Sequence, residues 1–136
     1  MLDAALGHLF ARALVAIARA DDEIGAEEGL RLQHCIARRV AAPISLDDLL
    51  LAEPLEPHRL AESMRGASVP FRTAWLHPSE LATLIVSDGI AVVLAKGYVS
   101  EAEAREILRF ASALGCARDK LRALCNRAAP WLGAVV

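Results

Sequence analysis

Two short stretches carry side chains with the right type and spacing for chemistry. One is Asp21-Asp22-Glu23-Ile24-Gly25-Ala26-Glu27-Glu28; the other is Lys96-Gly97-Tyr98-Val99-Ser100-Glu101-Ala102-Glu103. In each, a glutamate follows a branched aliphatic residue by four positions: Glu28 after Ile24, Glu103 after Val99. A carboxylate in the first turn of a helix meets backbone N–H groups that have no helical acceptor. Ser100 and Glu103 also have the spacing of a capping box, in which serine caps the helix and glutamate bonds back. Helix capping is the preferred role for both glutamates, and Asp21 can end the preceding helix. Nucleophilic and acid/base catalysis find no support. His8, His34, His58 and His77 are scattered, no Ser or Cys has a partner in sequence, and no glycine-rich phosphate loop occurs. Asp88 is the other acid of note, because it falls on the apolar stripe of Leu81, Leu84, Ile85 and Val92. A carboxylate there needs a partner: an arginine, a backbone group or water. The functional alternative is a ligand or metal pocket, with Tyr98 and Trp75 as the aromatic walls of a small-ligand site.

Helices must position these groups. Shifted by 75 positions, Ile24 falls on Val99, and the match extends both ways. Leu6, Leu9, Phe10, Ala16 and Ile17 fall on Leu81, Leu84, Ile85, Ala91 and Val92; Leu32, Cys35 and Ile36 fall on Ile107, Phe110 and Ala111. Each set has helical spacing, so the same face is apolar in both copies. The expected fold is all-α: a single-domain bundle of about six to seven helices over residues 1–136, built from two similar helical hairpins. Hairpin 1 covers about 2–41, short connecting helices about 45–76, and hairpin 2 plus a last helix about 78–132. Ser45 signals a new N-cap, Pro57 and Pro78 suit helix starts, and Gly115 supplies a stop. Ser87-Asp88-Gly89 is an odd interior for a helix, since Gly costs about 1 kcal/mol against Ala there.

Composition agrees with helices. Hydrophobic residues make up 55% of the chain and aromatics 4%, so the core is built from Leu, Ala, Val and Ile. A formal charge of −2 gives no general attraction for nucleic acid. Residues 104–136 lean basic, with Arg105, Arg109, Arg118, Lys120, Arg122 and Arg127; a solvated face is the preferred explanation, and docking to an acidic partner or lipid headgroups is the functional one. The start lacks a secretory pattern, no stretch is long and apolar enough for a membrane span, and three cysteines sit at no metal spacing. Reduced thiols in a cytoplasmic protein follow. The apolar end, 133–136, is expected to tuck against the domain or a neighbouring chain, which leaves a homodimer open.

The acidic turn superficially resembles half of a calcium-binding helix-loop-helix, but Ile17 and Arg19 stand where oxygen ligands are required. The better resemblance is to the TerB-like helical domains, named for bacterial tellurite resistance. Their turn reads Ala-Asp-Gly, an apolar residue, then Glu early in the next helix. Ala20, Asp21, Ile24 and Glu28 match in the first copy; Ala95, Gly97, Val99 and Glu103 match in the second. The likeness implies a cytoplasmic, non-enzymatic binding module of a stress-response system. It also implies divalent metal held by acidic residues, work at the inner face of the membrane and a protein partner. By position the metal candidates are Asp21, Asp22, Glu28 and Glu103; no other cofactor is implied. The departures are Lys96, where the second copy usually has Asp, and Asp22, where the first usually has Gly. A cation at Lys96 opposes a second metal ion there, which limits metal binding to the first turn, with Asp22 or Glu23 helping. The alternative is an interaction or co-chaperone domain without metal, because similar domains precede the J-domain of membrane-anchored DnaJ-type proteins.

Overall fold

Leu, Ala and Ile at helical spacing have one economical arrangement: helices that bury their apolar stripes against one another. The computed structural model describes residues 2, 4–21, 24–41, 43–65 and 78–128. Among these lie seven α-helices: α1 (Ala4–Ala18), α2 (Ala26–Arg39), α3 (Leu46–Leu51), α4 (Pro57–Arg65), α5 (Pro78–Val93), α6 (Glu101–Ala113) and α7 (Arg118–Ala128). A 3-10 turn, Leu94–Lys96, extends α5. The described residues contain no β-strand, and the all-α expectation holds. The sole extended pairing among them is an isolated bridge between Leu2 and Val40.

The central element is α5, which packs against α1, α2, α6 and α7. It is apolar on most of its circumference, as a helix enclosed by neighbours must be. The repeat is visible in burial. Leu6 and Leu81, Phe10 and Ile85, Ile17 and Val92, Leu32 and Ile107, Cys35 and Phe110, and Ile36 and Ala111 are buried as pairs. Leu9 and Leu84 are both half-buried at the margin of the same core. Gly89 now has a reason. A Cβ there would stand 3.0 Å from Ile17 Cδ1, so its absence lets α1 and α5 cross closely.

The ends of the helices follow local chemistry. The Asp48 N–H donates to Ser45 Oγ at 3.4 Å and opens α3. Gly115 adopts φ 76° after α6; its N–H donates to Ser112 O at 3.1 Å, and the Cys116 N–H donates to Ala111 O at 2.9 Å. Those two bonds satisfy carbonyls that the end of α6 would otherwise leave open. Cys116 thus precedes α7 while Cys125 lies within it, so the two do not share one helix. No described helix is long and apolar enough to cross a membrane.

Candidate functional site

The two elbows between helices have the same construction. Gly25 caps α2 at φ −71°, ψ 167°, and Ser100 caps α6 at φ −72°, ψ 160°. The Gly25 N–H donates to Glu28 Oε1 at 3.3 Å, and the Ser100 N–H donates to Glu103 Oε1 at 2.9 Å. The Glu103 N–H donates back to Ser100 Oγ at 3.2 Å, completing the reciprocal cap. Glycine has no side chain to return that bond, so the first elbow keeps only the glutamate half. Ile24 packs against the core and Val99 is buried in it, each as the anchor of its elbow.

Both capping carboxylates turn inward and converge on Lys96. Its Nζ bonds directly to Glu103 Oε1 and lies 3.5 Å from Asp21 Oδ2 and 3.5 Å from Glu28 Oε2. The Tyr98 ring lies over the same ammonium, with its centroid 5.0 Å away. Side-chain exposure is 0% for Glu103, 4% for Glu28, 16% for Lys96 and 29% for Asp21. Glu28 Oε2 and Glu103 Oε2 are shut off from solvent and have no hydrogen-bond partner. Their charge is met by the ammonium instead. Lys96 is therefore the hub of the two elbows, held by the short 3-10 turn at the end of α5.

Proton affinities follow from this crowding. Burial raises the Glu28 carboxyl above its ordinary range, and nearby Glu103 adds to the rise; the Gly25 N–H and the Lys96 charge oppose it. Burial pulls the Lys96 ammonium down, but the bond to Glu103 and the attraction of Glu103, Glu28 and Asp21 outweigh it. The lysine therefore stays charged at neutral pH.

Of the four metal candidates, Asp21, Glu28 and Glu103 are brought together, and Asp22 lies outside the described residues. The three do not fit a divalent ion as they stand. Such an ion needs oxygen ligands converging at about 2.0–2.6 Å on one point, and that point holds an ammonium of like charge. Among the described residues no group of three His, Cys, Asp or Glu side chains is arranged to take a metal. The lysine noted in sequence as a departure at the second turn turns out to face the first turn as well. Sequence spacing could not show this, because the contact crosses from one copy to the other.

Asp88 belongs to a different place. It is 1% exposed and takes Arg39 Nε on Oδ2 at 3.0 Å, Arg39 Nη2 on Oδ1 at 3.3 Å and Arg38 Nη2 on Oδ1 at 3.0 Å. It is the arginine-satisfied acid expected on physical grounds. Tyr98 stands over Lys96 and is 60% exposed as a residue, while Asp88 is buried, so the structure does not bring Asp88 and Tyr98 to a shared pocket; Trp75 lies outside the described residues. Burial raises the thiols of Cys35, Cys116 and Cys125, which favours their protonated form.

Two arginines were not singled out by sequence. Arg12 Nη2 donates to Glu53 O at 3.0 Å, and Arg19 Nη1 donates to Leu50 O at 2.9 Å. Arg12 lies on α1 and Arg19 in the turn just after it, seven residues on, both beside a cleft of about 250 Å³ against α3. They tie the carbonyls at and beyond the end of α3 to α1. The seven-residue spacing was the available signal. Comparison with family models, with curated proteins and with solved structures gives no match.

Proposed function

We propose that this chain is a non-enzymatic helical binding module, similar to the TerB-like domains, that works through a protein partner without a bound metal. One observation supports the metal-free reading most directly. The carboxylates that the resemblance assigns to a cation, Asp21, Glu28 and Glu103, surround the ammonium of Lys96. The doubled elbow supports the resemblance itself, since Glu28 and Glu103 hold equivalent caps at equivalent places. A non-enzymatic role is supported by the state of the buried acids. Asp88 is locked by two arginines, and Glu28 and Glu103 face an internal lysine instead of a cleft.

The resemblance supplies the setting: a bacterial stress response, in the cytoplasm or at the inner face of the membrane. The exposed large apolar side chains supply contact area for a partner: Leu30, Leu51 and Tyr98. Aromatic and aliphatic anchors of this kind carry a large share of binding energy at protein interfaces. The test is capture from the source cell's extract with the wild-type chain and with Leu30→Glu, Leu51→Glu and Tyr98→Ala. A single partner that is retained by the wild-type chain and weakened by at least one of these variants is expected. A chaperone as that partner identifies the co-chaperone form; a tellurite-resistance component identifies the stress-response form. Retention of no specific protein contradicts the reading.

A further inference from the structure

We propose that the Lys96 ammonium is the resident cation of the double elbow, standing where a divalent metal would otherwise stand and making this end of the fold independent of metal. The proposal deepens the metal-free reading above and rests on it for function, though its chemistry is argued from the site alone.

Four observations carry it. First, Lys96 and Asp21 hold equivalent positions in the two copies, and they face each other at 3.5 Å. A second aspartate in place of the lysine would add a fourth carboxylate with no cation between them. Second, Glu28 Oε2 and Glu103 Oε2 are sealed from water and have no hydrogen-bond partner. Buried carboxylates need a counter-charge, and Lys96 is the one the structure provides. Third, the ammonium is a compact point charge with three donors, a shape that suits carboxylates arriving from three directions. They come from the end of the α1 turn, from α2 and from α6. Fourth, the Tyr98 ring covers the ammonium at 5.0 Å, a cation–π contact that favours a lysine head in this place.

The resident cation also determines what its removal leaves behind. Lys96→Met keeps most of the apolar stem and deletes the charge. Three carboxylates then crowd a space vacated by a cation, and once drawn in from their present spacing their hard oxygen donors suit a divalent ion.

The experiment combines thermal unfolding with calorimetric titration, using manganese chloride and calcium chloride as probes. The chains are the full wild type, Lys96→Met and the double variant Lys96→Met, Glu103→Gln. The wild type is expected to show neither saturable heat nor a rise in Tm with either salt. Lys96→Met is expected to melt several degrees lower and to regain most of that loss with metal, since an ion that binds only the folded state stabilises it. The double variant should lose the recovery. If Lys96→Met is unfolded without metal, the same recovery is read as metal-induced helicity by circular dichroism. Saturable metal binding by the wild-type elbow, or a Lys96→Met chain that does not respond to either metal, overturns the proposal. Neither result depends on partner capture, so a failure here is separable from a failure of the interaction reading.

Discussion

At the residue scale, Glu28 and Glu103 look interchangeable in sequence and differ in the structure. Glu103 is fully buried, bonds directly to Lys96 and completes a reciprocal cap with Ser100. Glu28 reaches the same ammonium at 3.5 Å and has a glycine as its cap. Removing one partner of a buried ion pair leaves the other uncompensated, which costs several kcal/mol. Glu103→Gln should therefore cost about 2–4 kcal/mol in urea denaturation, and Glu28→Gln less than about 1 kcal/mol. Equal losses would contradict the asymmetry. The pH dependence follows from the raised groups. Because the folded-state carboxyl of Glu28 lies above its ordinary value of 4.5, its contribution is fully present below that value and is lost as pH rises through the folded value. The stability of wild type relative to Glu28→Gln should fall across that window as pH rises, as measured by urea midpoints. For Lys96, also raised, the contribution persists at neutral pH and is lost only in alkaline solution, above its ordinary 10.5.

At the element scale, the first hairpin depends on a close approach. A Cβ on Gly7 would stand 2.4 Å from Val40 Cγ1, and Val40 is held by the bridge to Leu2. The Leu2 N–H donates to Arg39 O at 2.7 Å, and the Ala41 N–H donates to Leu2 O at 3.1 Å. Val40 cannot keep both its bridge to Leu2 and its place at the end of α2 around a methyl group on Gly7. Gly7→Ala should cost about 1–3 kcal/mol by thermal or urea unfolding, despite alanine's better helix propensity. A neutral result would mean that Val40 and its bridge to Leu2 yield freely. Most of the elements were legible in the sequence. Caps at Ser45 and Ser100, the stop at Gly115 and the paired apolar stripes are local signals, and each appears where the residues place it. The oddity at Ser87-Asp88-Gly89 was visible, and so was the range of partners that Asp88 could take. Which arginines would meet it was not, because Arg38 and Arg39 lie at the end of a helix about fifty residues earlier. The reach of Lys96 is hidden for the same reason. Its spacing ties it to the second elbow, whereas its ammonium bridges both.

At the scale of the whole molecule, two ionic contacts tie the hairpins together. Asp88 on α5 is clamped by Arg38 and Arg39 from α2, and Lys96 at the far end of α5 gathers Asp21, Glu28 and Glu103. The apolar core supplies most of the driving force, while these contacts fix how the copies face each other. Asp88→Ala leaves the half-exposed Arg38 and Arg39 to water and removes three hydrogen bonds to a buried acceptor, and should cost about 1–3 kcal/mol, read by urea denaturation. A loss below about 1 kcal/mol would assign the clamp to the surface, where ion pairs contribute little. The Lys96 contact is more telling, because it is where the two repeats become one structure. A double-mutant cycle on Lys96→Met and Glu28→Gln, followed by urea denaturation, measures that link across the two elbows. A coupling of about 1 kcal/mol or more is expected, as for residues in one ion-pair network. Additivity within about 0.3–0.5 kcal/mol, the behaviour of independent sites, would contradict it.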